Sequence, residues 1–219
     1  MTDDPLSQVP IWPVPGRVHA RMSWRMGGVS RAPWDGLNLG DHVGDDPQAV
    51  ARNRARWAAH LGARPVYLQQ VHGARLVRLD AASPHGLQAD ACLTRETGLA
   101  CTILVADCLP LLLCDAQGRW VAAAHAGWRG LAGQGGEGVI ESVVQAGLAE
   151  GSEAEDIRVW LGPCIGPSAF EVGPEVREAF MAGDAAAASC FVPRGDRFLA
   201  HLSGLARQRL VRLGIRQVH

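Results

Sequence analysis

Three side chains able to bind a soft metal or do nucleophilic work stand where apolar runs give way to loops: His72, Cys108 and His125. His72 follows PVYLQQV and precedes Gly73. Cys108 interrupts the apolar run from Leu99 to Leu113, and His125 closes WVAAA ahead of the glycine-punctuated loop Gly127-Trp-Arg-Gly130. The three are far apart in the chain, so only the fold can assemble them. Two imidazoles and a thiolate suit zinc, with copper as a rival. No CxxC pair occurs among the six cysteines at 92, 101, 108, 114, 164 and 190, which argues against a closed four-ligand structural site. Three protein ligands leave a fourth position open to water or phosphate, the catalytic arrangement. Two other readings stay open on the same residues: a Cys108–His125 nucleophilic pair with Asp107 orienting the imidazole, and plain polar core residues. Asp107 is also a candidate base, although strand neighbours point to opposite faces and only a bend at Pro110 turns both inward. Arg25 and Arg129 could hold an anion, and Cys164, inside Gly162-Pro-Cys-Ile-Gly-Pro167, could be a reactive thiol.

The elements that must position these groups are partly legible. Residues 1–16 carry Pro5, Pro10, Pro13 and Pro15 and read as a loose arm, with a single catalytic domain over 17–219. The alternation in Arg17–Met26 predicts an edge strand. The loop 32–47, rich in Gly and Asp, is a functional-loop candidate. Asp46-Pro47 opens a helix whose face is Val50, Arg54, Trp57 and Leu61, and Gly62 ends it. Strands are predicted over 65–71, 74–79, 89–94, 100–105 (buried on both faces), 109–113, 120–124 and 157–161, with a turn-linked pair over 191–198 and a final strand from Ile215. Helices are predicted over 137–149, 174–181 and 199–213, and GDAAAAS (183–189) reads as mobile. Hairpins interleaved with about four helices, without βαβ alternation or GxGxxG, predict an α/β sandwich with helices outside mixed sheets.

Bulk composition narrows the function. At 219 residues and 47% apolar, the chain can bury a sizeable core. A formal net charge of −1 with no basic run argues against nucleic acid. The longest apolar stretch is broken by Asp107 and falls short of the ~20 residues a membrane helix needs. The acidic, polar start MTDDPLSQ is unlike a secretory leader, and dispersed cysteines fit reduced thiols in a cytoplasmic setting.

Several long motifs, in order, resemble a known family: GGVS with LNLGDHVGDDPQAVARNR (27–54), QQVHGA (69–74), ADCLPLLL (106–113), AAHAGWRG (123–130) and LGPCIGPSAFEVG (161–173). This is the family variously called polyphenol oxidase, laccase-domain or peptidoglycan editing factor proteins, and the likeness runs from about Arg17 onward. It implies a layered α/β/β/α protein, usually monomeric, that acts as a zinc-dependent purine nucleoside phosphorylase. Such an enzyme takes adenosine, inosine or methylthioadenosine and phosphate to free base and ribose 1-phosphate, with adenosine deamination beside it. The family's metal ligands fall on His72, Cys108 and His125. On that reading Asp107 and Cys108 are catalytic, and Arg25, Asn38, Gln70, Arg129 and Cys164 contact substrate. The laccase name implies copper chemistry, for which one His₂Cys site is thin. A cysteine-type amidohydrolase editing peptidoglycan precursors is the other alternative. Family members usually continue past the last strand with a Tyr/Arg-rich tail, whereas this sequence stops at His219.

Overall fold

A computed structural model describes residues 4–219. In chain order the strands are β1 (Ser7–Gln8), β2 (Met22–Ser23), β3 (Arg64–Gln69), β4 (Leu76–Arg78), β5 (Leu87–Gln88), β6 (Ala91–Thr94) and β7 (Leu99–Thr102). They continue with β8 (Leu109–Asp115), β9 (Val121–Ala126), β10 (Ile157–Leu161), β11 (Glu171–Val172), β12 (Phe191–Arg194), β13 (Arg197–Ala200) and β14 (Gln217–Val218). The helices are α1 (Pro47–Leu61), α2 (Trp128–Ala132), α3 (Val139–Ala149), α4 (Pro174–Gly183) and α5 (Leu202–Arg212).

A six-stranded mixed sheet, β14-β10-β8-β9-β6-β4, forms the centre, and a three-stranded parallel sheet, β5-β3-β7, lies against it. Alternation along the strands builds the layers. On β9, Ala122, Ala124 and Ala126 face the core shared with α3 and α5, while Ala123 faces the core between the sheets. On β6, Ala91 and Leu93 face the helices and Cys92 the second sheet. Strand β3 repeats the rule: Val66 and Leu68 point to the sheet–sheet core, and Tyr67 points to Leu37, Leu39 and Trp57 of α1. The result is the α/β sandwich with helices outside mixed sheets that the pattern predicts, in the α/β/β/α layering that the family resemblance implies.

Helix α1 has the bounds its caps dictate. The Asp46 side chain accepts from Gln48 N–H, Pro47 sits in the first turn, and Gly62 closes the helix at φ 62. Pro110 does not break β8: it is the second residue of the strand, where a missing N–H costs least, and it pairs opposite His125. The strand predicted over Arg17–Met26 shrinks to Met22–Ser23, because period-2 alternation needs a neighbour to pair with and only β1 is offered. That pairing also ties down part of the N-terminal segment: Ser7 is buried, and Asp4 accepts from Ser7 Oγ and faces His60. Strand β7 ends at Thr102 and is half-buried along most of its length, not sealed on both faces, because it edges its sheet and lines an open trough. The stretch that reads as mobile, 183–189, instead forms a 3-10 turn over Ala185–Cys190, capped by Asp184 and held by Gln208.

Candidate metal centre

Each of the three predicted ligands comes from a different backbone context. His72 sits in the turn after β3 at φ 59, the left-handed region that non-glycine residues seldom occupy. Cys108 stands immediately before β8, and His125 lies within the last turn of the ladder on β9. Their donor atoms all lie within 4.8 Å of one another, and Cys108 Sγ is 3.8 Å from His72 Nε2. Tetrahedral coordination at bonds of 2.0–2.3 Å spaces ligand atoms by roughly 3.3–3.8 Å, so a small contraction closes the set on one ion. The imidazole rings meet edge to face at 4.7 Å. His72 is exposed, Cys108 half-buried and His125 buried, which leaves one side of the trio open.

A buried carboxylate, Asp90, organises both histidines. Its Oδ1 lies 2.9 Å from His125 Nδ1, which leaves Nε2 to face Cys108. The same carboxylate accepts the backbone N–H groups of Val71 (3.2 Å), His72 (2.9 Å) and Gly73 (2.7 Å), folding the turn that presents His72. Its carbonyl oxygen accepts His125 N–H at 2.7 Å. Burial works to raise the Asp90 pKa, but the hydrogen bonds from His125, Gly73 and Val71 outweigh it and hold the group below the usual carboxylate range. His125 shows the mirror image. Burial works against its charge, yet the hydrogen bonds to Asp90 and Cys108 win, and its pKa is pushed up to about 9. His72 goes the other way: burial, then repulsion from His125, lowers its pKa, so its ring is neutral and free to donate a lone pair near pH 7.

Two glycines make room for this arrangement. A Cβ at Gly127 would lie 2.6 Å from His72 Cδ2 and 3.1 Å from Cys108 Sγ. A Cβ at Gly130 would lie 2.5 Å from Gly73 O, so the 127–130 loop can press on the His72 turn only without side chains there. A donor set of suitable softness, a fixed His125 orientation and a space kept clear by Gly127 all fit a bound metal ion.

The trio lies at the wall of a trough of about 1270 Å³ that runs between the two sheets. That exceeds the ~300–1,000 Å³ of ordinary ligand pockets. Trp24, Arg25, Asn38, Gln70, Leu104 and Trp160 are among its lining residues. Arg25, Asn38 and Gln70 thus line the same trough as the trio, although each is already engaged. Arg25 donates to the Asp35 backbone oxygen and carboxylate. Asn38 bonds Gly40 in both directions and donates to Asp45, and Gln70 exchanges two hydrogen bonds, 2.8 and 2.7 Å, with the Leu104 backbone. Asp107, Arg129 and Cys164 lie outside the lining. Asp107 is exposed, with its carbonyl accepting Ile165 N–H. Arg129 is exposed and stacks 4.4 Å over Trp128. Asp90, Gly127 and Gly130 carry roles that the reading of the sequence did not assign.

The chain has relatives among known proteins. The chain is 52% identical over 212 residues to a purine nucleoside phosphorylase of Pseudomonas aeruginosa, covering 96% of this chain and 84% of that one. It is 49% identical to the purine nucleoside phosphorylase YfiH of Escherichia coli, with the same coverage. A crystal structure of a Neisseria meningitidis protein superposes with a TM-score of 0.88 at 39% identity, covering 97% of this chain and 85% of that one. The family model described as multi-copper polyphenol oxidoreductase laccase matches residues 19–219. With that match and those relatives, the chain belongs to the family of laccase-like proteins that this model describes.

Proposed function

We propose that this protein is a metal-dependent purine nucleoside phosphorylase acting on adenosine, inosine or methylthioadenosine, with adenosine deamination as a side activity. The observation that carries the reading is the His72–Cys108–His125 trio opening onto a deep trough, in a chain half identical to proteins named for that activity. The bond between ribose C1′ and the purine nitrogen breaks, a phosphate oxygen bonds to C1′, and the purine nitrogen takes up a proton. A zinc ion on the trio supplies fixed positive charge for phosphate. Arg25, at the same trough, adds a second cation whose direction Asp35 sets. Positive charge must sit on phosphate and away from the sugar, which itself becomes cationic in the transition state. Asp107 is exposed and outside the trough's lining, so it can move a proton only for a substrate group reaching out of the trough. His₂Cys with an open position favours zinc over copper, and among the described residues this is the single cluster of three metal-binding side chains, too few for multicopper oxidation. No described helix is long and apolar enough to cross a membrane. The reading is completed by a cytoplasmic monomer working on small molecules.

The test is metal content by elemental analysis on wild type and Cys108→Ala, with adenosine turnover run with and without phosphate. Close to one zinc per chain, lost in the variant together with phosphate-dependent adenine release, supports the reading. Metal-loaded protein that releases no adenine in phosphate overturns it. In the alternative, Cys108 is a nucleophile with His125 as its base, oriented by Asp90 rather than Asp107, and amide hydrolysis by metal-free protein would favour it.

A further inference from the structure

Cys164 is left over by the metal centre, yet the backbone places it opposite Cys108. The antiparallel pairing of β10 with β8 runs one for one to Leu161 opposite Leu111. Two further backbone bonds carry that register beyond the strand ends: Gly162 N–H to Pro110 O and Ile165 N–H to Asp107 O, both 2.9 Å. Counting on from either bond sets Cys164 against Cys108. The two bonds are three residues apart, so the backbone between them leaves the regular two-residue repeat, yet they bracket Cys164 and Cys108 within two residues on either side; regular antiparallel partners sit about 4.5–5.5 Å apart at Cα, and a disulfide tolerates ~4.4–6.8 Å. Both residues are half-buried, so an oxidant of a few atoms can reach them, whereas Cys92 and Cys114 are sealed in the core.

We infer that Cys108 and Cys164 form a reversible cross-strand disulfide when peroxide reaches the metal centre, and that this bond removes the sulfur donor from between His72 and His125. The Cys108 thiolate attacks one peroxide oxygen; the O–O bond breaks, hydroxide leaves, and Cys108 becomes a sulfenic acid. The Cys164 sulfur then attacks that sulfur, the S–S bond forms, and water departs with the thiol proton. The two sulfurs lose two electrons, and peroxide ends as two waters. The loss of metal rests on the zinc reading above, while the disulfide itself does not.

Zinc-loaded wild type is treated with hydrogen peroxide, then digested without reduction, and cross-linked peptides are sequenced by mass spectrometry while zinc release is followed with a chromophoric chelator. The expected result is a Cys108–Cys164 link formed in step with zinc release, both reversed by dithiothreitol. In Cys164→Ser no link forms, and zinc binding stays lost after dithiothreitol because Cys108 oxidises further to the sulfinic acid. Cys92→Ser behaves as wild type, a check that core thiols are not the partners. A link between other cysteines, or zinc loss that dithiothreitol restores equally in Cys164→Ser, overturns the inference. If reduced wild type takes up no zinc, the metal reading fails, and the peptide map still decides the disulfide.

Discussion

Asp90 sets the behaviour of the centre one residue at a time. Replacing it by Asn keeps an oxygen for His125 Nδ1 but offers amide hydrogens to backbone N–H groups that need acceptors. Loss of such an outer-shell carboxylate typically costs about 10–100-fold in metal affinity, and zinc competition with a chelator will show that drop for Asp90→Asn. For Gly127→Ala the added methyl collides with His72 and Cys108, so zinc affinity falls while the thermal transition of the metal-free protein moves little. The pH dependence follows from the same contacts. His125 has a folded pKa of about 9, above the unfolded value, so its contribution is complete below about 6.5 and lost as pH rises through 9. Asp90 lies below its ordinary value, so its contribution is present above about 3.9 and lost as pH falls past its folded pKa. Metal-free protein should therefore be most stable between those limits, and zinc, by replacing the His125 proton, should abolish the alkaline decline. Calorimetry across pH with and without chelator measures this, and an alkaline slope unchanged by zinc would count against it. The three candidate ligands were readable because each stands where an apolar run gives way to a loop. Asp90 was not, since an acid one residue before ACLT has no spacing that singles it out.

At the scale of elements, legibility followed local physics. Helix α1 was delimited by Asp46, Pro47 and Gly62, whose effects are confined to a turn. The alternation in 17–26 misled because a strand is defined by its neighbour, and only two residues find one. The long 28–39 loop depends on a residue far along the chain: Asn53, fully buried on α1, accepts Val29 N–H and donates to Ser30 Oγ, Gly36 O and Asn38 O. Asn53→Ala takes the partner from Val29 N–H and Asn38 O, at about 1–3 kcal/mol each where no water replaces the amide, while Gly36 O keeps Ser30 N–H and Ser30 Oγ keeps Asp45. Urea unfolding should show a loss of roughly 3 kcal/mol, and proteolysis should begin in this loop. A loss below 0.5 kcal/mol would mean the loop holds itself.

Across the whole molecule, the ligands are supplied by segments far apart in sequence, so the site exists only once both sheets have docked. Metal binding is then coupled to global stability. Zinc at about a thousand times its dissociation constant adds ~4 kcal/mol, which in a chain of this size raises the melting temperature by about 8–16 °C, and chelation reverses it. The trough was illegible in the sequence because neither sheet encloses it alone.

The shared grip of Asp90 has a consequence for altering the metal. His72 and His125 hang from one carboxylate, so moving either disturbs the other, and their positions form one rigid half of the site. Cys108 arrives on a separate segment with no bond to Asp90 and can be exchanged alone. Cys108→His is thus the ligand swap that leaves the Asp90 hydrogen bonds untouched, the change by which a sulfur-bearing centre would become an all-imidazole one with its rigid half intact.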